Sequence, residues 1–158
     1  MCAADRSSGH RAPRKSRRAS PPVPRPARKL LLPEGHYVVI KRFSAKEEKR
    51  RVVAGVWKGE GPVALDNKTN CLHVNKGPID PQLAHGLMLW LNSSTLDAIF
   101  RTFSGHTQVN AGDVRTLPFP SREELLRLAD DAPDWLPEQE KLDALVADLF
   151  PTVVVSAE

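Results

Sequence analysis

The chain has 158 residues, of which 41% are hydrophobic, 6% aromatic and 27% charged, and its formal net charge is +4. This length suits one domain with a core of its own, or a smaller domain with a tail. The longest apolar run, Leu87 to Leu91, is too short for a signal peptide or a membrane span, and two cysteines are too few for a disulfide framework. We therefore expect a soluble chain in a reducing cytoplasm, with no membrane partner.

The first 29 residues differ in charge from the rest. They carry nine Arg or Lys against the single acid Asp5, a charge of +8, which leaves residues 30–158 at −4. They also hold five of the fourteen prolines and few large apolar side chains, so they cannot bury enough surface to offset the entropy of ordering. We predict a disordered basic tail. It could contact phosphates, act as a passive linker, or be foreign to the domain that follows.

The first part of the predicted domain reads as a small antiparallel sheet. The β-branched and aromatic runs "HYVVIKRF" (36–43) and "RRVVAGVW" (50–57) predict two strands joined by the polar connection "SAKEEK". The segments "VALDN" (63–67) and "CLHVN" (71–75) predict two further short strands, with a turn from Asp66 to Thr69.

Helical patterns follow the strands. Asp80 as N-cap and Pro81 in the first turn begin a helix that runs to Leu91, and "NSST" (92–95) separates it from a second apolar stripe that stops at Gly105. Ser121 and Glu124 form a capping box for a helix through about residue 128. A last helix opens at Pro137 and carries leucines and a valine at helical spacing up to Pro151.

These elements predict the fold class and the domain limits. We expect an α+β fold in which a small antiparallel sheet is followed by a helix pair and C-terminal helices. The domain covers residues 30–150, after the tail at 1–29 and before a C-terminal tail at 151–158. Residues 30–118 are mildly basic at +3, whereas residues 119–158 carry −7 and should face away from a polyanion.

Catalytic and cofactor motifs are absent from the sequence. The stretch "GVWKGEG" (55–61) lacks a following helix, a P-loop lysine and a dinucleotide fingerprint, so it predicts a turn between strands. Cys71 and His73 have no second pair of metal ligands nearby, and no nucleophile with a base and an orienting acid occurs. We predict no catalytic residue, no metal and no cofactor in this chain.

The first of two candidate binding sites is "KRFSAKEEKRR" (41–51). Six bases against two acids on a strand and turn suit contact with nucleic-acid phosphates. The alternative is a solvated hairpin with local Lys and Glu pairing. The candidates are Lys41, Arg42, Ser44, Lys46, Lys49, Arg50 and Arg51.

The second candidate site is the loop "SGHTQVNAGDVR" (104–115). Gln and Asn offer a donor and an acceptor that match the adenine edge, and Arg matches guanine in the same two-pronged way. The alternative is that these side chains satisfy buried backbone groups where two helices meet the sheet. The candidates are His106, Thr107, Gln108, Asn110 and Arg115.

Four stretches of the chain together resemble a known family. In order they are "YVVIKRFSAKEEKRRVVAGV", "LDNKTNCLHV", "LMLWLNSSTLDAIFRTFSGHTQVNAGDVRTLPFP" and "EKLDALVADLF". They are similar to the C-terminal part of adenine-specific DNA methyltransferases of restriction-modification systems, of the gamma type whose target-recognition region resembles the TaqI-like specificity domain. The resemblance covers roughly residues 29–150 and is most specific from Leu91 to Pro120.

The resemblance implies a target-recognition module that positions double-stranded DNA for a catalytic domain, which extrudes an adenine and methylates it with S-adenosylmethionine. The family's cofactor motif and its Asn-Pro-Pro-Tyr-type motif do not occur here, so no catalytic residue is carried over and the chain is expected to be inactive alone. It implies phosphate and backbone contact for the loop, with Gln108 and Asn110 partly structural, and a separately encoded methyltransferase catalytic domain as a possible partner. The alternatives are an inactive truncated remnant, or a subunit that docks on a catalytic domain through Trp57, Trp90 or Trp135.

Overall fold

A computed structural model describes residues 31–149 of the chain. The tails predicted at residues 1–29 and 151–158 lie outside the described residues. Within them the α+β prediction is confirmed, because a three-stranded antiparallel sheet precedes five helices.

The sheet places the first strand in the middle. Strands β1 (Gly35–Lys41), β2 (Ala54–Gly59) and β3 (Thr69–Leu72) are ordered β2-β1-β3, and Val38 lies opposite both Val56 and Leu72. The predicted second strand begins four residues too early. It starts at Ala54 instead of Arg50 because the backbone N–H groups of Arg51 and Val52 donate to the carboxylate of Asp97 and not to a neighbouring strand.

The strand predicted at residues 63–67 is wrong. Val63 forms only an isolated bridge with Leu32, and the Oδ1 atom of Asp66 accepts a hydrogen bond of 3.0 Å from the backbone N–H of Lys68. This local bond stabilises a turn in place of a ladder, as Asp side chains commonly do. The third strand therefore begins at Thr69, a residue predicted to lie in the turn.

The long helices form where the capping residues predicted them. Helices α1 (Pro81–Leu91) and α2 (Ser94–Phe103) are capped by Asp80 and Ser93, whose side chains accept from backbone N–H groups of the first turn. Helix α4 (Arg122–Asp131) has the predicted capping box between Ser121 and Glu124. The last helix, α5 (Gln139–Leu149), begins two residues after Pro137.

One helix was missed by the sequence patterns. Residues Ala111–Thr116, predicted as loop, form the short helix α3, which has Asn110 at its N-cap. Its six residues are too few to display an apolar period. The Oδ2 atom of Asp113 accepts a 2.9 Å bond from the backbone N–H of Asn110, and this contact helps to close the first turn.

The core lies between the sheet and α1, with α4 against the other side of α1. Leu89, Leu91 and Trp90 of α1 are buried, as are Val38 and Ile40 of the central strand. The close packing of α1 on α4 requires Gly86, since a Cβ atom at that position would collide with the carbonyl oxygen of Leu125. No helix within residues 31–149 is long and apolar enough to cross a membrane.

Candidate nucleic-acid interface

The two candidate sites predicted separately from the sequence lie side by side in the structure. Phe43 and Gln108 form an antiparallel bridge, the N–H of Ser44 donates to the carbonyl of Thr107 at 3.0 Å, and the N–H of Val109 donates to that of Arg42 at 2.7 Å. The chain just after β1 therefore pairs with the loop after α2. A turn of basic residues and a loop of polar residues form one continuous surface, which we call the turn–loop surface (residues 41–51 and 104–110).

An ion pair on α2 holds the basic turn in place. Arg101 donates from Nε to Oδ2 of Asp97 at 2.6 Å, and its two terminal nitrogens donate to the carbonyls of Lys46 and Glu48 at 3.0 and 2.8 Å. Sequence reasoning missed both residues of the pair. Their i,i+4 spacing was a signal, but such spacing is typical of any exposed helical salt bridge and does not reveal the contact with the turn.

Arg51, a predicted phosphate contact, lies inside the protein. Its guanidinium donates to Ser44 Oγ at 3.3 Å and to the carbonyl of His106, and its Cζ atom lies 5.5 Å from the centre of the Phe100 ring. Both Arg51 and Ser44 are 2% exposed. These two side chains join the turn to the loop from beneath, so they support the surface without forming part of it.

Three further bases of the turn are engaged by protein groups. Arg42 and Arg50 are half-buried residues, and their guanidinium groups donate to the carbonyls of Asn67 and Asn92 at 3.1 and 3.0 Å. Lys41 is exposed but pairs with Glu48 at 2.7 Å. The hydrogen bond from Lys41 is the main cause that lowers the pKa of the Glu48 carboxyl. A second hydrogen bond, from the backbone N–H of Ala45, lowers it further.

The remaining candidates are directed to solvent. Lys46, Lys49, His106 and Thr107 are exposed, and Gln108 is half-buried. In the part of the chain that the structure describes, no hydrogen bond or ion pair restrains the ammonium groups of the two lysines. These two lysines can therefore bind an external anion without first breaking a contact within the protein.

The end of the polar loop leads to the edge of β3. The half-buried Asn110 caps α3, and the exposed Arg115 on that helix borders a cavity of about 240 Å³ that is also lined by Asn70, Cys71 and His73. The Nδ2 atom of Asn70 donates to the carbonyl of Val109 at 2.7 Å, which fastens the loop to the strand. Burial raises the pKa of the Cys71 thiol to about 11, so this thiol is mostly protonated at neutral pH.

The three tryptophans proposed for an interface have different surroundings. Trp90 is 2% exposed and donates from its indole to the carbonyl of Pro118 at 3.0 Å, whereas Trp57 stacks on Tyr37 with 5.6 Å between ring centres. Trp135, between α4 and α5, is 69% exposed. It borders a cavity of about 650 Å³ lined also by His85 and Asp134, and burial, partly opposed by Asp134, lowers the pKa of His85.

The described residues contain no cluster of three or more His, Cys, Asp or Glu side chains that could hold a metal ion. The turn–loop surface exposes cations, neutral hydrogen-bonding groups, the carboxylate of Glu47 and the half-exposed ring of Phe43, and the half-exposed ring of Phe103 lies directly beside it. The cations and the neutral hydrogen-bonding groups can bind an anionic polymer.

Known proteins with similar sequences are Type II methyltransferases by name. The Type II methyltransferase M.BsuBI of Bacillus subtilis is 55% identical over 104 residues, which are 63% of this chain and 21% of the relative. The Type II methyltransferase M.PstI of Providencia stuartii is 44% identical over 121 residues, or 74% of this chain and 24% of the relative. The chain thus spans between a fifth and a quarter of the length of these relatives. No protein-family model and no solved structure matches.

The comparisons confirm the coarser part of the resemblance. The chain is similar to one part of Type II methyltransferases, as its motifs predicted. The assignment of that part to target recognition, and its likeness to the TaqI-like specificity domain, stay predictions.

Proposed function

We propose that the folded part of this chain binds double-stranded DNA as the target-recognition region of a Type II adenine methyltransferase of the kind that its sequence resembles. In this proposal it positions a duplex for S-adenosylmethionine-dependent methylation by a catalytic domain outside the chain. The TaqI-like specificity domain is the family to which we assign it.

The observation that carries the proposal is the junction of the two predicted sites. Residues 42–44 pair with residues 107–109, and this pairing places Lys46 and Lys49 on the same surface as His106 and Thr107. Lysines supply phosphate contacts without sequence information, whereas neutral polar groups can contact sugars, phosphates or base edges. The similarity to M.BsuBI and M.PstI supports DNA as the polymer.

Internal contacts divide the predicted DNA-binding residues into two groups. Ser44 and Arg51 are buried, and Arg42, Arg50 and Asn110 are half-buried against protein groups, so we assign them to support of the surface. We assign direct DNA contact to the exposed or half-exposed remainder, in which Lys41 must exchange its bond with Glu48 for a phosphate. This group consists of Lys41, Lys46, Lys49, His106, Thr107, Gln108 and Arg115.

The test is fluorescence anisotropy with a labelled random-sequence duplex across a salt series. The full chain and a version that starts at Lys29 are compared, because the eight bases at residues 1–28 can bind DNA without the fold. In the shortened version, Lys46→Ala with Lys49→Ala should lower the slope of log affinity against log salt by about 1.8, since each phosphate contact contributes about 0.9.

A matched control removes the same charge elsewhere. Lys58 and Lys141 are exposed and lie outside the turn–loop surface, so Lys58→Ala with Lys141→Ala should leave the slope nearly unchanged. Equal losses in both double variants would point to unspecific attraction. Disappearance of all binding with residues 1–28 would overturn the proposal and favour an inactive remnant.

The exposure of Trp135 favours a second candidate function, docking on a separately encoded methyltransferase catalytic domain. A tryptophan that is 69% exposed beside a large cavity has the character of an interface anchor. Under this candidate the chain should co-purify with such a domain, and Trp135→Ala should abolish co-purification without changing the salt slope for DNA.

A further inference from the structure

Two aromatic side chains are exposed within or beside the turn–loop surface. Phe43 is 47% exposed and Phe103 is 48% exposed. A phenylalanine in a core contributes a large buried apolar surface, and these two residues leave about half of theirs in contact with water. Phe43 lies two residues after the end of β1. Phe103 is the last residue of α2, directly before the polar loop.

The backbone around Phe43 is fixed on both sides. It forms the bridge with Gln108, while the preceding N–H of Arg42 donates to the carbonyl of Lys68 at 3.0 Å and the following N–H of Ser44 donates to that of Thr107. Because this backbone is already fixed, binding of a partner by the ring orders only the two side-chain torsions and not the main chain.

Phe103 is also supported from below. Its ring meets that of Phe100 edge to face, with 5.4 Å between centres and 70° between planes, and the buried Phe100 ring lies against the guanidinium of Arg51. The same guanidinium donates to the carbonyl of His106 in the loop. Arg51 thus connects the base of Phe103 with the loop that pairs with Phe43.

We propose that Phe43 and Phe103 contact DNA bases directly, entering a base step that is unstacked where the turn–loop surface meets the duplex. This inference rests on the proposed function and adds the form of DNA that the surface prefers. Apolar wedges beside phosphate contacts stabilise opened or kinked steps, because an exposed base face gains an aromatic partner. The ammonium groups of Lys46 and Lys49, which are exposed on the same turn, pair with the phosphates on either side of that step.

The test compares two duplexes of equal length, one fully paired and one that differs by a single base and so has one central mismatch, by anisotropy with the full chain. A mismatch lowers the cost of opening the step, so the unmodified chain should bind the mismatched duplex about tenfold more tightly. Phe43→Ala with Phe103→Ala should reduce this ratio to near one and keep the salt slope. Phe43→Leu with Phe103→Leu, which keeps apolar volume, should retain part of the preference.

Phe119→Ala is the matched control. That ring is 39% exposed and lies outside the turn–loop surface, so its removal should leave the tenfold ratio intact. Circular dichroism of each variant checks that the fold persists. Salt-dependent binding without a preference for the mismatch, or a preference that survives the double alanine variant, overturns this inference and leaves the proposed function standing. Absence of salt-dependent binding in the shortened chain overturns the proposed function instead.

Discussion

The backbone N–H of Arg51 donates to the Oδ1 atom of Asp97, 46 residues further along the chain, at 2.5 Å. The same carboxylate accepts from Arg101 through its other oxygen. Asp97 therefore binds the end of the basic turn at Arg51. It also binds Arg101, the side chain that holds the middle of the turn through the carbonyls of Lys46 and Glu48. Since Asp97 is only 7% exposed, these contacts are largely shielded from water.

Asp97→Asn should loosen the turn and destabilise the fold. The amide keeps one acceptor oxygen but turns a donor group toward Arg101, so the Nε group of Arg101 loses its charged partner while its terminal nitrogens keep their carbonyl acceptors. We expect a loss of about 2 kcal/mol in the free energy of unfolding, measured by urea denaturation. Glu123→Gln, on the exposed first turn of α4, should change it by less than about 0.5 kcal/mol. An unchanged Asp97→Asn variant would contradict the structural role of this ion pair.

Asn92→Ala should separate α1 from β2. The Asn92 side chain is fully buried, donates to the carbonyls of Ala54 and Met88 at 2.8 Å each, and accepts from the N–H of Ala54 at 3.2 Å. Alanine leaves the N–H and the carbonyl of Ala54 without this partner, at a cost of about 2 to 4 kcal/mol in unfolding free energy, whereas the carbonyl of Met88 keeps the backbone N–H of residue 92. The loss of stability is measured by thermal denaturation, with Asn67→Ala at an exposed position as the control. Similar melting temperatures for the two variants would refute the expectation.

Gly86→Ala should disturb the contact between α1 and α4. The added methyl group meets the carbonyl oxygen of Leu125, a backbone atom that cannot turn aside, so the helices must move apart. Overpacking of this kind costs about 1 to 3 kcal/mol. Gly112→Ala in α3 meets no atom within 4 Å and should be neutral or stabilising. Equal stability of the two variants, measured in urea, would argue against the tight helix contact.

Acid should release the turn through Glu48. Its pKa is lowered from 4.5 mainly by the hydrogen bond from Lys41, so the contribution of this bond to stability is fully present above that value. It is lost as the pH falls through the lower pKa of the folded state. The amide resonance of Ala45, whose N–H donates to Glu48, should shift with a midpoint below 4.5 and stay constant between pH 6 and 8. Glu48→Gln should remove that shift; a midpoint at or above 4.5 would contradict it.

Local chemistry predicted the helices better than the strands. Asp80, Ser93 and Ser121 cap helices through contacts within a few residues, and such contacts are encoded in short segments. The start of β2 was misplaced because Asp97, more than forty residues away, binds the backbone of Arg51 and Val52. The segment at 63–67 begins with three apolar residues, which is compatible with a strand, yet the side chain of Asp66 stabilises a turn.

The sequence by itself determined the α+β class, the capped helices and the presence of two polar segments suited to an anion. Composition and short-range spacing are sufficient for these features. Only the tertiary structure decided that the two segments meet, that Arg51 lies beneath them, and that Lys46 and Lys49 remain exposed. These outcomes depend on hydrogen bonds between residues about fifty positions apart. A short stretch of sequence therefore does not show which basic side chain binds a buried group and which one stays exposed.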